Sequence, residues 1–194
     1  VRQASDIWSV ISSPGTTIGL SCAHTAGVFS LALLASSGCG AADPDVFEAV
    51  LHKATDPEGM PLVVLLHGRS GSAEGILERT GMKEAAGEAA SVLSVQALPI
   101  FNGSTGWDLA SAEEHARLWS SVDEALTETG ADADRVILVG YSLGGMMVVR
   151  AACDAPERVA GMALVAGAME TSLVDDCAQE ATPALFFHGK ADTS

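Results

Sequence analysis

The chain has 194 residues, a formal net charge of −15 and a pI near 4.4. It is 48% apolar and 18% charged, enough for one packed core and far from a disordered composition. The acidic excess argues against a nucleic-acid partner, whose phosphates call for Lys and Arg, and four cysteines are too few for a disulfide-built scaffold.

A mean hydropathy of +0.29 directs attention to the first forty residues. From Ile7 through Ala42 there is no Asp, Glu, Lys or Arg, and charge is frequent from Asp43 onward. That break predicts an export segment over 1–42, a short linker at Asp43 to Asp45, and a folded catalytic domain over 46–194. Gly27 to Ala35 is an apolar run of signal-peptide length, too short to span a membrane. The small residues leading to Cys39 resemble a bacterial lipoprotein signal, which implies lipidation of Cys39, membrane anchoring and a secreted or cell-envelope location. The alternatives are a non-lipidated secretory leader or an N-terminal extension, since Ser36 replaces the usual Leu and Arg2 is the lone strong base upstream.

Past the linker, the first continuous apolar run is Pro61 to Gly68, ending in His67-Gly68-Arg69-Ser70-Gly71. Runs apolar on both faces suit strands of a parallel sheet covered on both sides. Glu78 to Ala90 reads as a helix, and Ser91 to Ala97 as a weaker strand. Ala112 to Thr129 reads as a helix with Leu118, Val122, Ala125 and Leu126 on one stripe. Glu113-Glu114 and Asp175-Asp176 read as solvated surface. Further apolar runs follow at Arg135 to Gly140, Val159 to Gly167 and Pro183 to Gly189, with a helix over Leu143 to Ala155 between the first two. Alternating strands and helices predict an α/β fold, a mainly parallel, doubly wound sheet between helical layers. In such sheets sites form at the carboxyl ends of the strands, where these runs place their glycines.

Gly140-Tyr141-Ser142-Leu143-Gly144, with Gly145 after it, joins a predicted strand to a predicted helix. That is the G-x-S-x-G pattern in the context its chemistry needs: glycines permit a sharp turn and Ser142 projects above the sheet as a nucleophile. An ordinary Gly/Ser turn is the alternative. The helix start offers the Leu143 N–H, and the turn after the first run offers the Arg69 N–H, as the two donors of an oxyanion hole. His67 is better read as bonded to its own loop than as a base. Asp192, in His188-Gly189-Lys190-Ala191-Asp192, is the candidate orienting acid, or else a turn cap. The order Ser, Asp, His then calls for a histidine, yet only Thr193 and Ser194 follow. The expectation is that the chain stops short of its base and of its last elements, and that it hydrolyses esters only near background. An upstream histidine in that role, or an inactive site, are the alternatives.

Together LLHG, GYSLGG, PERVAGMALVAG and PALFFHGKAD resemble the α/β-hydrolase superfamily, and within it the esterase / polyhydroxybutyrate depolymerase group that includes feruloyl esterases. The resemblance covers about Leu62 to Asp192. It implies a three-layer α/β-hydrolase fold, incomplete at the C-terminus, and an ester substrate, small or polymeric. It also implies an acyl-enzyme on Ser142, with Asp192 as triad acid and donors at Arg69 and Leu143. Trp107, in GSTGWD, would wall the substrate pocket or anchor its loop. Cysteines at the places of Cys153 and Cys177 are paired in related exported esterases, which implies a disulfide here; two buried thiols are the alternative. No cofactor is expected: there is no H-E-x-x-H, no Cys/His cluster, and Gly68 to Gly75 lacks the G-K-[ST] of a phosphate loop. Other α/β-hydrolase activities (peptidase, lipase or thioesterase), or a non-catalytic exported binding protein of the same fold, are the competing functions.

Overall fold

The computed structural model describes residues 49–100, 103–167, 177 and 182–192. The leader expected over 1–42, with Cys39, lies outside them, as do Asp175 and Asp176. In chain order the elements are β1 (Ala49–His52), β2 (Leu62–Leu66), α1 (Ala73–Thr80), α2 (Met82–Ala86) and β3 (Ser91–Val95). There follow α3 (Ala112–Thr129), β4 (Val136–Tyr141), α4 (Leu143–Asp154), β5 (Gly161–Val165) and β6 (Ala184–Phe187).

The strands form one six-stranded sheet in the order β1-β3-β2-β4-β5-β6. All pairs are parallel except β1 with β3. The chain leaves β3 on one side of β2 and re-enters the sheet at β4 on the other, so the strand order reverses around β2. This is the expected doubly wound α/β sheet, and its reversal is where such folds open a crevice. The register pairs Leu66 with Gly140, which brings the ends of β2 and β4 level.

Two apolar layers sandwich the central strands. On one side Leu62, Val64, Leu66, Val95 and Leu138 pack with Leu118, Val122 and Ala125 of α3 and Met147, Val148 and Ala151 of α4. On the other, Leu65 and Val92 pack with Ile76 and Leu77 of α1 and Ala86 of α2. The continuous apolar runs follow from this double burial. β6 departs from it: Leu185, Phe186 and Phe187 are exposed.

The helix expected over Glu78 to Ala90 is instead two short ones. Ser72 caps α1, its hydroxyl accepting the Gly75 N–H, and Gly81 at φ 59° ends it in the left-handed region. β1 is four residues long and antiparallel, too short for its alternation to stand out in sequence. No helix among the described residues is long and apolar enough to cross a membrane.

Candidate active site

β4 turns into α4 within a single residue. Ser142 has φ 52° and ψ −119°, a conformation that costs any side-chain-bearing residue about 1–3 kcal/mol. The bend works because its neighbours are glycines. A Cβ on Gly140 would stand 2.3 Å from Gly144 O, and one on Gly144 would stand 2.3 Å from Leu66 O and 2.5 Å from His67 O. α4 therefore begins with its backbone against the end of β2. The Ser142 N–H donates to Val165 O (2.9 Å), and its carbonyl accepts the Gly145 N–H (2.8 Å). Its hydroxyl does not cap the helix. No acidic side chain occupies the first turn of α4, so the positive end of the helix is not neutralised there.

The loop after β2 lies directly on this elbow. A Cβ on Gly68 would come within 3.0 Å of Tyr141 Cδ1 and 3.2 Å of Ser142 Cβ. His67 is almost fully buried and both its ring nitrogens are engaged. Nε2 accepts the Ala97 N–H at 3.1 Å, which leaves the proton on Nδ1, and Nδ1 donates to Gly68 O at 2.7 Å. Burial holds the imidazole below its ordinary value of 6.5, so it stays neutral near pH 7. This histidine braces its loop and has no nitrogen left to take a proton from Ser142. Gly68 O also accepts the Gly71 N–H at 3.0 Å. In a trans peptide the C=O and N–H point opposite ways, so these bonds turn the Arg69 N–H away from the loop. Neither the Arg69 nor the Leu143 N–H donates to an acceptor among the described residues.

Ser142, Arg69 and Leu143 are thus brought together from two crossover connections. Asp192 follows β6, two strands from β4 on the same carboxyl edge of the sheet. Its N–H closes a turn onto Gly189 O (3.0 Å), and its Oδ2 lies 3.6 Å from His188 Nε2. Cys153, on α4, and Cys177 form a disulfide, with Cα atoms 4.8 Å apart.

Two further residues near the site, Trp107 and Glu114, are buried. Trp107 is buried at 3% exposure, its ring 5.5 Å from the His67 ring and its Nε1–H donating to His67 O (2.7 Å). It anchors its loop, the second of the two alternatives its sequence context allows, and offers a substrate almost no surface. Glu114 is also buried at 3%, not solvated. Its Oε2 accepts the Asp108 N–H at 3.0 Å, while Oε1 has no hydrogen-bond partner among the described residues. Burial raises its carboxyl above the usual range, opposed by the backbone N–H groups of Asp108 and Leu98. The available signal was spacing: Glu114 lies four residues before Leu118, on the buried stripe of α3.

A cavity of about 420 Å³ opens elsewhere, lined by Ser111, His115, Arg150 and Asp154 among others. Among the described residues no group of three or more His, Cys, Asp or Glu is placed to hold a metal ion.

The profile of the alpha/beta hydrolase fold matches residues 121–186. "Putative esterase NocK" of Nocardia uniformis subsp. tsuyamanensis is 34% identical over 146 residues, which is 70% of this chain and 41% of NocK. The chain thus spans about two fifths of that relative. Among solved structures, esterase PE8 superposes with a TM-score of 0.60 at 19% identity, over 73% of this chain and 74% of its own. Acetyl xylan esterase from Aspergillus awamori superposes with a TM-score of 0.56 at 18% identity, over 69% and 52%. With the parallel sheet, its reversal at β2 and the elbow after β4, the chain has the α/β-hydrolase fold.

Proposed function

We propose that the chain carries the nucleophile and oxyanion donors of a serine ester hydrolase. The supporting observation is the strained Ser142, set beyond the end of β4 with the Leu143 N–H and the Arg69 loop beside it. Ser142 Oγ attacks the ester carbonyl carbon and gives its proton to a base. The carbonyl electron pair moves onto oxygen, where the two N–H groups receive it. Collapse expels the alcohol, which takes up that proton, and leaves an acyl-enzyme. Water then adds and releases the acid. Asp192 is the proposed acid orienting the base. The esterase names among the relatives support this chemistry.

Within ester hydrolysis, the motif resemblance favours the polyhydroxybutyrate depolymerase and feruloyl esterase group. Methyl ferulate, 3-hydroxybutyrate oligomers and short p-nitrophenyl esters, assayed side by side, separate these substrates. The uncharged stretch from Ile7 to Ala42 supports export, with Cys39 as the lipidated residue; mass spectrometry of the N-terminus isolated from cells tests it.

A fluorophosphonate probe applied to the protein as isolated from cells is the direct test of the nucleophile. Ser142 should be the labelled residue, and Ser142→Ala should abolish labelling without loss of fold. Labelling at another residue, or none, would overturn the assignment.

A further inference from the structure

We propose that Thr105 and Trp107 are positioning residues that hold the loop after β2 on both sides of Arg69 and so aim its N–H at the reacting oxygen. This rests on the acyl-transfer reading of Ser142.

Three hydrogen bonds between Thr105 or Trp107 and the loop after β2 bracket Arg69. Upstream, Trp107 Nε1–H donates to His67 O at 2.7 Å. Downstream, the Ser70 N–H donates to Thr105 O at 2.7 Å, and Thr105 Oγ1–H donates to Gly71 O at 2.6 Å. Gly68 and Arg69 are the residues between these clamps.

The clamping segment is itself held. A β-bridge joins Pro99 to Thr105, the Ile100 N–H donates to Ser104 O (2.7 Å), and the Gly106 N–H donates to Leu98 O (3.1 Å). Beyond it, Glu114 of α3 takes the Asp108 N–H. The segment also reaches the second donor: a Cβ on Gly106 would stand 3.2 Å from Leu143 Cδ2. One small structure thus lies against Leu143 and is bonded to the loop on both sides of Arg69.

The conformational cost of the loop gives these bonds a task. Ser70, next to Arg69, has φ 58°, in the left-handed region that side-chain-bearing residues rarely adopt. A turn in that conformation relaxes unless neighbours over-determine it. The bonds from Thr105 and Trp107 supply that constraint. An oxyanion donor stabilises the transition state only if it is already in place when charge develops, and a displacement of about 1 Å costs up to about a hundredfold in rate.

The test uses the protein as isolated from cells, carrying Thr105→Val, Thr105→Ser or Trp107→Phe. Valine removes the hydroxyl donor, serine keeps it, and phenylalanine keeps an aromatic ring without the N–H. The readouts are the rate of Ser142 phosphonylation against probe concentration, the melting temperature, and amide exchange of residues 67–71 by mass spectrometry. Thr105→Val and Trp107→Phe should lower the limiting labelling rate roughly tenfold to a hundredfold. The half-saturating probe concentration should hold, and exchange in the loop should quicken. Thr105→Ser should restore both the labelling rate and the protection. Wild-type rates in Thr105→Val and Trp107→Phe would overturn the proposal while leaving Ser142 as nucleophile. The same holds if the loss follows melting temperature alone and serine does not rescue it. No labelling of Ser142 in the wild type would instead overturn the acyl-transfer reading, and this proposal with it.

Discussion

At Ser142 the backbone is held where glycine would be at ease. Replacing Ser142 by glycine removes a strain of about 1–3 kcal/mol and adds back a flexibility cost of about 0.5–1 kcal/mol. Ser142→Gly should therefore stabilise the fold by about 1 kcal/mol, read by urea titration, while abolishing fluorophosphonate labelling; a loss of stability would mean the turn carries no strain. The elbow was legible in sequence because its constraint is local: glycines two residues either side of Ser142, a strand before and a helix after. Trp107 was not. Its partner is a backbone carbonyl forty residues upstream, and nothing in GSTGWD distinguishes a ring that packs inward from one that faces substrate. His67 was readable because a histidine that closes a buried strand must satisfy both nitrogens nearby.

Among the elements, α3 matched its predicted bounds because eighteen residues give the apolar period room to repeat. The helix expected over Glu78 to Ala90 failed for the opposite reason. Alanine and charged residues favour helix on either side, but Gly81 ends α1 in a left-handed cap before the run is over. Glu114 shows how a carboxylate on a buried stripe is misread as surface when only its type is considered. Its behaviour with pH follows from burial. A carboxyl whose folded value lies above its unfolded one, near 4.5, favours the fold while protonated. That contribution is complete below about 4.5 and is lost as pH rises through the folded value. Glu114→Gln stays neutral throughout. The melting temperature of the wild type relative to this variant should therefore fall as pH climbs from about 4 to about 7; a difference independent of pH would show that the charge is not the cause.

For the whole molecule, the doubly wound topology was readable from the alternation of runs, whereas the antiparallel β1 and the disulfide depended on more than periodicity. The disulfide links α4 to the segment before β6 across 24 positions. Closing a loop of that size stabilises by about 3 kcal/mol, so Cys153→Ser should lower the unfolding free energy by about that much in urea titration. An unchanged midpoint would show that the bond contributes nothing. The sheet order has a developmental consequence. The loop bearing Arg69 rests on a bend that belongs to a strand more than seventy positions downstream, with a strand, three helices and a crossover translated in between. As the polypeptide leaves the ribosome, that loop has no seat until β4 and the start of α4 have emerged. The elbow and the loop that rests on it are thus completed only once both halves of the sheet have met.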